Sequence, residues 1–147
     1  REAMTSLDWQ WFLMSLPVII LNAAIGSVLG SVVLWAGLPN ESFDWRSLPT
    51  LSVLARDLAV CMASTEIIYF YMHRWFHMNP TLYRLLHKMH HARITSTPVS
   101  FFAIYSHPLE TVCNVGQAYI GSLICGCHIL TVTVYIAIQM IEDVRDH

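Results

Sequence analysis

Five of the chain's eight histidines lie close together, at spacings suited to metal binding. His73 and His77 are four residues apart, so on a helix both imidazoles lie on one face, one turn from each other. His87, His90 and His91 are related by three and four residues and also share one face of a helix. Neutral imidazole binds iron, zinc, copper and nickel. The pattern predicts a metal centre built from two neighbouring helix ends.

The number of histidines favours two ions. A structural zinc site is usually closed by four ligands, often including cysteine, and five histidines exceed that need. A dinuclear, all-nitrogen iron site at a membrane surface would suit activation of oxygen against a lipid C–H bond, although these residues leave zinc open.

Other polar and aromatic residues near the histidines have two interpretations each. Glu66 lies seven residues before His73, on nearly the same helical face, so it is predicted to accept a hydrogen bond from a ligating imidazole. The alternatives are an ion pair between Glu66 and Arg56 and a position lining a polar gap. His107 and His128 are typical of polar residues at a membrane interface. Three aromatic residues are interpreted as interface anchors or as the lining of a lipid entrance: Phe101, Phe102 and Tyr105.

The composition favours a membrane protein. Hydrophobic residues make up 55% of the 147 residues, charged residues make up 12%, and the mean hydropathy is +0.49. A net charge of −2 and the absence of a glycine-rich phosphate loop argue against nucleic acid and nucleotide partners. The four cysteines lack a framework spacing, which favours apolar filling over a disulfide or metal site.

Three apolar regions are expected to be helical. Residues 9–40 carry no charge and are long enough to cross a bilayer, and Gly26 and Gly30 within them form a GxxxG pattern. Residues 51–72 are a weaker candidate because they contain three charged side chains. Residues 111–141 are interrupted at "CGCH" (125–128), which predicts two short helices joined by a turn. Each half is too short to span, so a hairpin that enters the bilayer and returns is expected.

The charges predict an orientation. Residues 72–106 contain four basic residues and no acidic one, whereas residues 40–50 contain two acidic residues and one basic residue. The positive-inside rule therefore places the histidine-rich stretch in the cytosol and the first loop in the lumen. The predicted fold is an all-α integral membrane protein with transmembrane helices, a short re-entrant helical hairpin and a cytosolic histidine-box region. Residues 1–50 would form the first span and lumenal loop, and residues 51–147 the metal-binding domain.

Three segments, "HRWFH" (73–77), "LHKMHH" (86–91) and "YSHPLETV" (105–112), together resemble the fatty acid hydroxylase superfamily of membrane oxygenases. Its C4-methylsterol oxidases are the most similar branch. The resemblance implies that the five clustered histidines bind a dinuclear centre, usually treated as diiron. It also implies an acidic residue at Glu66, a supporting role for His107 and, from "EDVRDH", a ligand role for His147 as the first histidine of a third box.

The resemblance further implies an enzyme of the endoplasmic reticulum membrane that uses O2 and takes electrons from cytochrome b5 or an NAD(P)H reductase. The expected reaction is oxygenation of a sterol C4-methyl group or a related lipid carbon. Fatty acyl or sphingolipid hydroxylation and sterol desaturation are alternatives within the superfamily. Family members continue beyond the position of His147 into further histidines, so a fragment is expected. A truncated, non-catalytic membrane protein that binds lipid or regulates a partner is therefore a further alternative, and a metal transporter is a weaker one.

Overall fold

The computed structural model describes residues 6–91 and 104–146, and the regular elements within these ranges are all helical, as predicted. Phe101, Phe102 and His147 lie outside the described residues. The elements are α1 (Ser6–Gly37), a 3-10 turn (Asn40–Phe43), α2 (Leu51–Met78), α3 (Pro80–Leu82), a π-helical turn (Tyr83–His87), α4 (Lys88–His91), α5 (Pro108–Ala118), α6 (Ile120–Cys125) and α7 (Ile129–Asp146).

The first predicted span is a single helix. Trp9–Gly37 within α1 has 29 residues and a mean hydropathy of 2.1, which is long and apolar enough to cross a bilayer. Only 17% of its most apolar window is buried inside the protein, so most of that surface is available to lipid. Among the described helices, α1 alone meets this standard, and a second span at residues 51–72 stays a prediction.

Helix α1 packs lengthwise against α5. Asn22 is 1% exposed, and its Nδ2 donates hydrogen bonds to the carbonyl oxygens of Ile104 and Ser106, each at 2.9 Å. One and two turns further along, Gly26 and Gly30 face Val115 and Tyr119. A Cβ at Gly30 would lie 2.6 Å from the Tyr119 hydroxyl, so the glycine permits this close approach.

Helix α2 begins and ends at residues that specify helix boundaries. The Thr50 hydroxyl caps the N-terminus by accepting a hydrogen bond from the Val53 N–H. At the other end Asn79 is extended (φ −105°, ψ 107°), because Pro80 disfavours helical backbone at the residue before it. The Asn79 side chain then caps α3 by accepting hydrogen bonds from the Thr81 and Leu82 N–H groups. The chain therefore turns sharply between the two histidine motifs.

The predicted interruption at "CGCH" is present. Helix α6 ends at Cys125, Gly126 takes the left-handed conformation (φ 59°), and α7 begins at Ile129. The N-terminal half is itself divided into α5 and α6 at Tyr119, which was not predicted. Helix α7 has 18 residues, but its last five include four charged side chains, and it does not meet the standard for a candidate span. The expectation that both halves are too short to span stays a prediction. Re-entry of this hairpin into a bilayer stays a prediction.

The small core joins the end of α1, the first half of α2, and the α6–α7 region. Its fully buried members include Cys61, Cys127 and Tyr135, with Leu38 and Val132 beside them. Two cysteines thus occupy the apolar core, as predicted. The five clustered histidines lie at the opposite end of α2, outside this core.

Candidate metal centre

The chain reversal after α2 brings the two histidine motifs together. His73 and His77 lie in the last turns of α2, whereas His87 ends the π-helical turn and His91 ends α4. A π-helical turn closes each hydrogen bond over one more residue than an α-helix does (i to i+5), and it recurs at functional sites. It changes the direction in which the side chains after it point. His87 and His91 consequently face His73 and His77.

Four imidazole nitrogens converge at one point. The Nε2 atom of His77 lies 3.1 Å from that of His73, 3.1 Å from that of His91 and 3.2 Å from that of His87. The Nε2 atoms of His87 and His91 are 2.8 Å apart, and all four nitrogens lie within 4.8 Å of one another. Since His77 is close to all three others, it occupies the centre of the cluster.

These distances fit one metal ion. Metal–nitrogen bonds of about 2.1 Å place ligand nitrogens roughly 3.0 to 3.4 Å apart, depending on the coordination geometry. Without a cation, several nitrogen lone pairs facing one another at such distances would repel, since one proton can be shared by only two of them. The arrangement of the four histidines is therefore better explained by coordination of a shared cation than by hydrogen bonds among the imidazoles.

Glu110 at the start of α5 orients His87. The Nδ1–H group of His87 donates to Glu110 Oε1 at 2.7 Å, and both side chains are almost fully buried. Because His87 donates through Nδ1, its Nε2 lone pair points towards the other three histidines. Burial lowers the pKa of His87 to about 3 and raises the pKa of Glu110 to about 7. The imidazole is therefore neutral at neutral pH, which is the form that binds a metal.

Glu66 does not take the predicted supporting position. Its side chain is exposed, and it makes no hydrogen bond or ion pair within the described part of the chain. The alternative pairing with Arg56 is also wrong, because Arg56 contacts Asp57 at 2.7 Å. The helical-face argument located Glu66 near His73 along α2, but it could not show that Glu110 approaches from another helix.

His107 acts at a helix end. Its Nδ1 accepts a hydrogen bond from the Leu109 N–H at 3.2 Å, which caps α5 beside Pro108. His107 therefore positions α5, and through α5 it positions Glu110. This support is indirect, and the predicted supporting role of His107 at the site stays a prediction. The useful signal in "HPLE" was the acidic residue in the first turn of a helix that begins with a cap and a proline.

His90 lies beside the four-histidine cluster without joining it. Its ring centroid is 5.6 Å from that of His87, in a stacked arrangement, and 5.3 Å from that of His91. The four nitrogens that lie within 4.8 Å of one another do not include those of His90. His128 is remote, and its Nε2 donates to the Asp44 carbonyl oxygen at 3.1 Å.

Aromatic side chains surround the cluster. Phe76 is 3% exposed and lies 5.4 Å from the His87 ring, while Tyr69 lies 5.3 Å from the His73 ring. Tyr83 packs 5.5 Å from the His77 ring on the outer side. These rings limit the directions from which water can reach the histidines, although His77 itself stays exposed.

These features define a class of protein: an all-helical chain, within the described residues, that has a candidate membrane helix and a cluster of four histidines. The sequence pattern of the fatty acid hydroxylase family matches residues 58–147, which contain the described histidine cluster and Glu110. The chain therefore belongs to the fatty acid hydroxylase family.

Curated relatives agree with this assignment. Fatty acid hydroxylase domain-containing protein 2 of Macaca fascicularis is 27% identical over 148 residues, covering 100% of this chain and 40% of the relative. Methylsterol monooxygenase 1 of Gallus gallus is 25% identical over 74% of this chain and 36% of the relative. Sphinganine C4-monooxygenase 2 of Arabidopsis thaliana is 31% identical over 67% of this chain and 38% of the relative.

The chain spans at most two fifths of the length of these relatives. No solved structure matches it.

Proposed function

We propose that this chain supplies part of the metal centre of a membrane-bound lipid oxygenase. The observation that carries the proposal is the convergence of four Nε2 atoms in a chain that belongs to the fatty acid hydroxylase family. His73, His77, His87 and His91 would hold one ion. His90, together with His147, would serve a second ion, consistent with the position of the His90 ring beside the cluster. The division at residue 50, with residues 51–147 as the metal-binding domain, belongs to the same proposal.

The chain's own residues would position the ions and exclude water. Glu110 keeps the Nδ1 proton on His87 and so leaves Nε2 free to bind. Phe76 closes the inner side of the cluster. Two iron ions, when bound, supply the activation of O2 against a C–H bond, with zinc as the competing occupant. Electrons would come from cytochrome b5 or an NAD(P)H reductase.

We propose a sterol C4-methyl group or a related lipid carbon as the substrate. Methylsterol monooxygenases among the relatives support the sterol choice, and a sphinganine C4-monooxygenase and a fatty acid hydroxylase support the alternatives within the family. The exposed apolar surface of α1 supports presentation of the substrate from a bilayer. The proposed location is the endoplasmic reticulum membrane, in a multi-pass arrangement with the histidines facing the cytosol.

Lipid profiling of cells that lack the protein tests the proposal. Cells are complemented with the wild-type protein, with His77→Ala, or with His128→Ala as a matched control outside the cluster. We expect 4-methylsterols to accumulate without the protein and with His77→Ala, and to return to normal with the other two. If 4-methylsterols are unchanged and hydroxylated sphingoid bases are altered, the proposed substrate becomes a sphingoid base. Full rescue of the lipid defect by His77→Ala would contradict the proposal that the protein is part of a metal-dependent oxygenase.

A further inference from the structure

A second group of metal-binding side chains lies at the other end of α2. Asp57 and Cys61 are four residues apart and therefore share one face of this helix. Cys125 and Cys127 approach that face from the turn between α6 and α7. His77 lies 20 residues beyond Asp57 on the same helix, a separation of roughly 30 Å along the axis. The two groups are therefore separate sites.

Three of the four donor atoms lie within reach of one ion, and the fourth, Cys61 Sγ, lies beside one of them. A carboxylate oxygen of Asp57 and the Sγ atoms of Cys125 and Cys127 all lie within 4.8 Å of one another. The Sγ atoms of Cys61 and Cys127 are 3.8 Å apart. A tetrahedral zinc ion with Zn–S bonds of about 2.3 Å requires sulfur atoms roughly 3.8 Å apart. The Cys61–Cys127 distance already meets this requirement, whereas the distances among the donors of Asp57, Cys125 and Cys127, up to 4.8 Å, would shorten by as much as about 1 Å when an ion binds. Cys61 adjoins this group of three through Cys127.

The fold holds three of these four donors in the interior. Cys61 and Cys127 have no exposed surface, and Asp57 is 2% exposed. A Cβ at Gly121 would lie 2.6 Å from the Cys61 Cα atom, so this glycine lets α6 pack directly on α2. Gly126, with its positive φ, turns the chain so that the two cysteines beside it face the same group.

A surface pocket borders two of the proposed donors, Asp57 and Cys125. Its lining includes Arg56, Asp57, Cys125 and His128. Arg56 contacts Asp57 Oδ1 at 2.7 Å, and its side chain is 64% exposed. A carboxylate has two oxygens, so Asp57 can contact Arg56 through one and an ion through the other. The guanidinium would offset part of the negative charge of the bound thiolates.

We propose that Asp57, Cys61, Cys125 and Cys127 form a structural Zn²⁺ site that joins the α6–α7 turn to α2. Thiolate ligands favour zinc and copper(I), and the accompanying carboxylate favours zinc because it is a harder ligand. Each coordinating thiol gives up one proton to solvent, and no electron is transferred. Four protein ligands close the coordination shell, which is the arrangement typical of a structural zinc ion rather than of a catalytic one.

Cobalt substitution distinguishes this site from the histidine cluster. The full chain is purified in mild detergent with a thiol reductant and titrated with Co²⁺, which replaces zinc and gives a near-ultraviolet charge-transfer absorption only when bound to thiolate. We expect this absorption to saturate near one Co²⁺ per chain and to disappear on addition of Zn²⁺. His77→Ala, which disables the histidine cluster, is expected to leave the absorption in place.

Cysteine variants then assign the ligands. Cys127→Ser is expected to abolish the thiolate absorption, and Cys125→Ser, at a partly exposed position, to weaken Co²⁺ binding at least about tenfold. Cys113→Ser changes an exposed cysteine outside the group and serves as the matched control, with no expected change. Circular dichroism shows whether each variant keeps its helical content.

The wild-type chain alone can overturn the proposal. If all four thiols are reduced and the chain gives no thiolate absorption with Co²⁺, the zinc site is wrong. A Cys61–Cys127 disulfide in the protein as isolated from its native membrane would also overturn it, because these two thiols would then be unavailable to a metal.

Discussion

The two ends of α2 carry side chains that suit metal ions, but the chain assembles them in opposite ways. At the C-terminal end, four histidines come from one short stretch that turns back on itself. At the N-terminal end, Asp57 and Cys61 meet two cysteines from more than 60 residues further along the chain. Local spacing therefore reveals the first group, and only long-range packing creates the second.

The two groups also differ in chemistry. The histidine cluster uses neutral nitrogen donors, is partly exposed and includes one carboxyl group that supports a histidine from behind. The cysteine group includes two members of the apolar core, Cys61 and Cys127, and would place anionic donors on the ion directly. Partial exposure suits a site that must admit a reactant, whereas burial suits a site that holds two helices together. The following variants test this contrast.

The largest effect is expected for His77→Ala. The Nε2 atom of His77 is within 3.2 Å of the other three nitrogens, so its loss opens the centre of the cluster. We expect iron or zinc affinity of this site to fall by more than about 100-fold, which exceeds the usual effect of losing a supporting residue. Metal analysis of the purified chain measures it, with His128→Ala as the control. Unchanged metal content in His77→Ala would remove the cluster as a site.

A smaller effect is expected when the support of His87 is removed. Glu110→Ala deletes the acceptor of the His87 Nδ1–H group, and metal affinity should fall by about 10- to 100-fold. Glu110→Gln keeps an acceptor oxygen, so its metal affinity should fall by less than that of Glu110→Ala. Glu66→Gln is the matched control, because Glu66 is exposed and contacts no described histidine. A larger loss for Glu66→Gln than for Glu110→Ala would restore the original prediction for Glu66.

Gly121→Ala tests the packing that creates the cysteine group. The added methyl group would lie 2.3 Å from the Ser64 Oγ atom and 2.6 Å from the Cys61 Cα atom, so α6 must move away from α2. We expect a loss of about 1 to 3 kcal/mol in the free energy of unfolding, measured in detergent. Gly116→Ala is the control, since no atom lies within 4 Å of its added Cβ. Equal stability of the two variants would argue against the close contact.

The smallest effect is expected for Tyr135→Phe. The Tyr135 hydroxyl is 2.5 Å from the Thr65 hydroxyl, and both residues are buried between α2 and α7. Removing this hydrogen bond should lower the free energy of unfolding by about 1 kcal/mol without changing metal content at the histidine cluster. Tyr71→Phe, at a position 66% exposed, should have no measurable effect. A loss of metal in Tyr135→Phe would show that the two ends of α2 are coupled.

The sequence by itself determined the features that depend on neighbouring residues. Spacings of three and four residues put His73 and His77 on one face of α2, and the long uncharged run predicted the helix of α1. The "CGCH" interruption was visible because a glycine and polar residues break an apolar pattern. Each of these signals acts within one or two helical turns.

Only the tertiary structure decided which distant side chains meet. Glu110, rather than Glu66, lies behind His87, because α5 packs against the π-helical turn while Glu66 faces outward on α2. The cysteines lacked a recognisable spacing, yet Gly121 and the turn at Gly126 bring Cys125 and Cys127 to Asp57, and Cys127 to Cys61. Helical periodicity fixes the direction of a side chain around its own axis. Contacts between helices depend on how loops and small residues let the helices approach, and those distances are set by the packing of the whole chain.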